Sequence, residues 1–177
     1  VNFAATDGVA TSGLTAATTQ DPDVVITISD SANVAQFNTV DALTTSNLVL
    51  TGGLTDTAVN FAATDGVATS GLTAATTQDP DVVITVTDAA NVPQFNTIDA
   101  LTTSNLVLGG LTDTAVNLAA TDGAATSGLT AATTQDPDVI ITVTDAANVA
   151  QFNTIDALTT SNMVLTGGLT DTAVNFA

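Results

Sequence analysis

Aspartate is the only titratable side chain in this 177-residue sequence, which has 18 Asp and no Glu, Lys, Arg, His, Cys or Tyr. The densest arrangement is Asp21-Pro22-Asp23, and it returns as Asp79/Asp81 and Asp136/Asp138. Each motif places two carboxylates on one side of an extended segment, next to a backbone carbonyl such as that of Gln20. Ca²⁺ favours clustered carboxylate and carbonyl oxygens of this kind. These six Asp are therefore the candidate metal ligands, with Ca²⁺ as the candidate ion. The competing reading is that Asp caps helices, shapes turns and keeps the surface soluble.

Other chemistry is sparse. Gly52-Gly53-Leu54-Thr55-Asp56 resembles the calcium-binding nonapeptide G-G-x-G-x-D, but Thr55 stands where the third glycine belongs and the Asp falls one position early. EF-hand spacing is absent. Asp56-Thr57-Ala58 is similar to the Asp-Thr-Gly/Ala loop of aspartic proteases, whose dyad needs two such loops face to face. Thr85-Val86-Thr87 and Thr142-Val143-Thr144 put two threonines on one strand face, as in ice-binding repeats, but Ser29 breaks the pattern in the first instance. No imidazole, thiol or amine is available as base or nucleophile. The expectation is that the protein is not an enzyme. A net charge of −18 disfavours nucleic acid and anionic membrane surfaces as partners. Apolar residues make up 45% of the chain, too many for a disordered acidic tail, and no apolar run is long enough for a membrane-spanning helix.

The elements that must hold these residues come in tandem copies. Residues 1–58 recur at 59–115 and 116–173, and 174–177 begin a fourth copy. Near-identical copies without linkers are the mark of a repeat array. Within each copy the pattern of an apolar run, a Ser/Thr-Asp stop and a return segment occurs twice. The Asp30–Asp56 offset is 26 residues and the Asp56–Asp88 offset is 32. Each 58-residue repeat thus reads as two coils, a buried strand plus a return segment in each. The fold class expected is a strand-dominated repeat solenoid with short helical return segments, the alternative being a pure β-solenoid. Val24–Ile28, Val82–Val86 and Val139–Val143 are the equivalent strands expected to stack in register, at about 10 Å per copy.

The first return segment reads as a short helix. Pro93 fits the first turn if Asn91 is the cap, which makes Asn33, Asn91 and Asn148 equivalent caps. Phe37, Phe95 and Phe152 are the expected core aromatics. The second return segment, rich in Gly, Thr and Ala, reads as irregular, and the glycine pair at 52–53 and 109–110 as a surface turn that absorbs the one length change. Val25/Val83/Ile140, Ile28/Val86/Val143, Val40/Ile98/Ile155 and Leu48/Leu106/Met163 vary only among apolar types, as buried positions do.

The phrase Ile-Thr-Val-Thr-Asp-Ala-Ala-Asn-Val-Ala-Gln-Phe-Asn-Thr-Ile-Asp-Ala-Leu-Thr-Thr at 141–160 resembles segments of large, secreted, acidic repeat proteins of bacteria, including cyanobacteria, of the adhesin-like and haemolysin-type calcium-binding kinds. The resemblance covers every copy. It implies an exported cell-surface or matrix protein that uses Ca²⁺. Two functions follow as expectations. One is a structural repeat of an extracellular fibre, sheath or surface layer, self-assembled by stacking end to end. The other is the stalk of a large calcium-dependent adhesin.

Overall fold

The two apolar runs of each copy lie side by side in parallel. The computed structural model describes residues 3–176, so Val1, Asn2 and the Ala177 end of the fourth-copy fragment lie outside the described residues. In the first copy β1 (Thr27–Ile28) pairs with β2 (Val49–Leu50), and Ala32 bridges to Leu54 at the start of β3 (Leu54–Asp56). In the second copy β4 (Ile84–Ala90) pairs with β5 (Val107–Asp113), and in the third β6 (Ile141–Val143) pairs with β7 (Val164–Leu165). Parallel pairs β3–β4 and β5–β6 join one copy to the next. Strand order in the sheet follows chain order, β3-β4-β5-β6-β7.

Helices connect the strands, as parallel pairing requires. They are α1 (Ser12–Gln20), α2 (Val34–Asp41), α3 (Ala58–Phe61), α4 (Ser70–Gln78), α5 (Val92–Leu101), α6 (Ala115–Leu118), α7 (Ser127–Gln135) and α8 (Val149–Leu158), followed by a 3₁₀ turn at Ala173–Phe176. Asn33, Asn91 and Asn148 cap α2, α5 and α8, each in a full capping box with the glutamine three residues on, and Pro93 sits in the first turn of α5. Thr11, Thr69 and Thr126 cap α1, α4 and α7. Along β4, Ile84, Val86 and Ala90 are buried, while Val83 just before it is exposed; so are its counterparts Val25 and Ile140, so the apolar variation at that position does not mark a buried site as expected. One sheet face thus meets the helices and the other faces solvent, a two-layer α/β arrangement. Phe37, Phe61 and Phe95 are fully buried between the layers, whereas Phe152, in the last copy, is half-buried.

Three further expectations are corrected. The chain is not a strand-dominated solenoid, and the pure β-solenoid fails with it, because the helices hold more than twice as many residues as the strands among those described. The second return segment is not irregular: it forms the nine-residue helices α1, α4 and α7, in which Thr76 returns its hydroxyl to Leu72 O at 2.9 Å and buries its methyl side. The equivalent strands do not stack in register either. Leu54 lies between Ala32 on one side and Ile84 on the other, so Ile84 aligns with Ala32, not with its own counterpart Ile26. Ala90, Leu111 and Ile141 repeat this alignment. Each copy is displaced six residues along the strands, up to about 20 Å, while crossing two strand spacings, about 10 Å.

The glycine pair is more than a surface turn. A Cβ at Gly52 would lie 2.1 Å from the Asp30 backbone, and one at Gly109 2.7 Å from that of Thr87. Glycine is required there because neighbouring strands approach too closely for any side chain. Losing the Thr in the second copy leaves this contact intact and straightens the segment into the single strand β5.

Candidate functional site

The Asp-Pro-Asp motifs end α1, α4 and α7. Asp21, Asp79 and Asp136 are the C-cap residues, and their amides reach back to Ala17, Ala75 and Ala132 at 2.9 Å. The turn that follows brings the paired carboxylates together. A hydrogen bond that the protonated Asp21 carboxyl donates to Asp23, then desolvation and the Asp23 charge, raise the Asp21 carboxyl above its ordinary value. Desolvation leads the same upward shift at Asp79 and Asp136, followed by the hydrogen bonds to Asp81 and Asp138. The structure therefore juxtaposes the two members of each candidate pair.

Further ligands are scarce. Pro22 O accepts the Thr45 amide at 2.8 Å, and Asp23 O accepts the Ser46 hydroxyl. Pro80, Asp81, Pro137 and Asp138 repeat both bonds with Thr103, Ser104, Thr160 and Ser161. These carbonyls clip each motif to the Thr-Thr-Ser loop of its own copy. Among the described residues no three carboxylates converge. A cation on such a pair would complete its shell with water.

Seven of the other Asp tie elements together, which develops the reading of Asp as a helix cap. Asp56, Asp113 and Asp171 accept the first amide of α2, α5 and α8, from Val34, Val92 and Val149, at 3.0–3.1 Å. Their second oxygens take the next residue's amide and the Asn60, Asn117 and Asn175 side chains. These bonds, the Asn175 amide foremost, lower the Asp171 carboxyl below its ordinary value. A carboxylate at a helix start also complements the helix dipole. The Asp-Thr-Ala phrase is thus a helix clamp with both oxygens occupied.

Between copies, Asp88 takes the Ala58 amide and Asp145 the Ala115 amide, each at 2.6 Å. Gln78 accepts the Leu48 amide at 2.7 Å and donates to Asp41; Gln135 does the same for Leu106 and Asp99. The only signal in the sequence was the invariance of these residues from copy to copy.

The chain matches no protein-family model, no curated protein and no solved structure. Among the described residues no helix is long and apolar enough to cross a membrane.

Proposed function

We propose that the protein is a structural repeat of an extracellular fibre, sheath or surface layer, assembled by adding copy to copy. The observation that carries this reading is where the polar side chains go. Asp88, Asp145, Gln78 and Gln135 each bond across the boundary between copies, at the same positions each time. Cohesion between repeats therefore has a definite chemistry, and it needs no cationic residue. Electron microscopy of the native material, with labelling by an antibody to this sequence, tests the proposal. Continuous or laterally joined filaments outside the cell support it, and label confined to the cell interior overturns it.

The stalk of a calcium-dependent adhesin is the second reading, and the paired carboxylates of Asp21/Asp23, Asp79/Asp81 and Asp136/Asp138 favour it. A divalent cation on each pair would relieve repulsion that the chain itself cannot offset, and would stiffen the joint between helix and strand. Single, cell-anchored stalks that lose stiffness in chelator are the outcome expected for that reading.

A further inference from the structure

The paired strands described are all parallel, and parallel sheets are normally covered on both faces. Here the helices cover one face only. The other carries Val83 and Val107 in the second copy, with Val25, Val49, Ile140 and Val164 as their counterparts, and each is 42–67% exposed. The second copy has a copy on either side of it, yet Val83 and Val107 are both 52% exposed, so the bare face belongs to the repeat itself. Strand pairing sets these residues in rows with threonine: Thr55, Thr85 and Val107 in one, Thr112, Thr142 and Val164 in the next.

This face is uncharged in a chain that carries −18. Side chains alternate along a strand, and the Asp within or just after the strands fall on the opposite side. Asp56, Asp88 and Asp113 turn to the amides of Val34, Ala58 and Val92 instead. Asp81, two residues ahead of Val83, stands at the border. Counting every copy at the seven-residue length of β4 and β5, with strands about 4.8 Å apart and a rise of about 3.3 Å per residue, the three copies expose a plane of about 650 Å². Two such planes together bury about 1,300 Å², within the roughly 1,200–2,000 Å² of specific, stable interfaces. Each further copy adds an equal share.

We infer that this face packs against the same face of a second copy of the chain, so that two arrays lie side by side with their helices outward. This pairing rests on the reading of the protein as an assembling structural repeat, and it is the contact that joins one array to another. Charge selects the partner. A cationic protein is held by the carboxylates, which lie off this face or at its border, whereas a second copy brings a neutral surface of the same spacing. The branched Val and Thr side chains of facing rows interdigitate at the spacing of about 10 Å between stacked sheets. Both partners use one patch, so the contact is isologous and closes on itself as a pair of arrays. Salt strengthens it by screening the charge left at the borders.

Two matched variants of the full chain test this. Val83→Glu with Val107→Glu charges the face at exposed positions, where the monomer stays folded. Val59→Glu with Val116→Glu adds the same charge at positions 55% and 54% exposed on α3 and α6, off the face. In sedimentation equilibrium at high NaCl the parent and the helix variant are expected to pair with similar dissociation constants. The sheet variant should dissociate at least tenfold more readily, at an unchanged melting temperature. In a chain whose only thiol is Val107→Cys, reaction with a maleimide should slow at least tenfold on pairing, while Thr73→Cys, exposed on α4, keeps its free rate. Pairs that weaken alike in both Glu variants, or that leave the Val107→Cys thiol free to react, overturn the sheet contact and leave the structural reading to the microscopy. A parent that stays monomeric at every salt concentration overturns the sheet contact in the same way.

Discussion

Gln94 donates Nε2 to the carbonyl of Ala62, 32 residues earlier, at 2.8 Å, while its Oε1 takes the Asn91 amide at 3.1 Å. The side chain is 4% exposed, so one glutamine completes a helix cap and ties that helix to the end of α3.

Gln94→Leu keeps the bulk and removes both bonds. An unpaired buried polar group costs about 1–3 kcal/mol. Chemical denaturation should show a loss of at least that size. Gln36→Leu, at the half-buried equivalent in the first copy, should lose less, because water can reach the groups left behind. Equal losses at the two sites would sink the assignment of Gln94 as a buried tie.

Gly71 and Gly13 occupy the same place in successive helices and are expected to respond with opposite signs. In the monomer, Gly13→Ala should stabilise by up to about 1 kcal/mol through helix propensity alone. Gly71→Ala gains the same propensity but drives a methyl to within 2.4 Å of Val34 Cγ1. Overpacking of that kind costs about 1–3 kcal/mol. Thermal melts of the two variants under monomeric conditions check the pair, and a shift of the same sign in both would refute the close joint at Gly71.

The upward shifts at Asp21, Asp79 and Asp136 fix the sign of the pH response. These carboxyls hold protons more tightly in the folded chain than in the unfolded one, where the value is near 3.8. Their stabilisation is complete below that value and is lost as pH rises through the raised folded values. Asp171 acts oppositely: its contribution is present above 3.8 and is lost as pH falls through its lowered value. The melting temperature should therefore rise as pH falls from neutrality through the raised folded values toward 3.8. Asp79→Asn combined with Asp136→Asn should raise it at neutral pH and flatten the slope. A melting temperature that falls steadily over this range, with the double variant unchanged, would show that the pairs are too far apart to share a proton.

Ca²⁺ should stabilise the parent beyond its effect on ionic strength. A ligand that prefers the folded state adds about 2.7 kcal/mol at a hundredfold excess over its Kd. Melts in chelator, in about 1 mM Ca²⁺ and in NaCl of equal ionic strength separate binding from screening. Only the Ca²⁺ arm should weaken when Asp79 and Asp136 are both Asn. If NaCl matches Ca²⁺, the pairs are helix ends and turns and nothing more.

The sequence revealed what is local and repeated. The Asn33, Asn91 and Asn148 caps follow from their own side chains and from Pro93, and the Phe37 and Phe95 cores follow from spacing. Helices α1, α4 and α7 were hidden because Ser-Gly-Leu-Thr-Ala-Ala-Thr-Thr-Gln has weak helix propensity; a Thr69-type cap and burial of Leu72 and Ala75 hold them. The register between copies was hidden for a different reason. A period of 58 residues says that copies are equivalent but not how far each slides on the next, and the Ala32–Leu54–Ile84 alignment is set by contacts 22 and 30 residues apart. At the candidate site, the proximity of Asp21 to Asp23 was readable from the motif. The capture of the Pro22 and Asp23 carbonyls by Thr45 and Ser46 was not, since the partners lie 23 residues away.

The slide of six residues per copy has a mechanical consequence. The displacement along the strands is about twice the displacement across them, so the long axis of an array runs closer to the strand direction than to the hydrogen-bond direction. A pull on the two ends loads the backbone bonds of β3–β4 and β5–β6 in shear, where all bonds of a ladder must yield together, rather than peeling them one at a time. The Asp88–Ala58 and Gln78–Leu48 bonds cross the same joint and share that load. A chain built this way resists extension best along the axis on which its copies succeed one another.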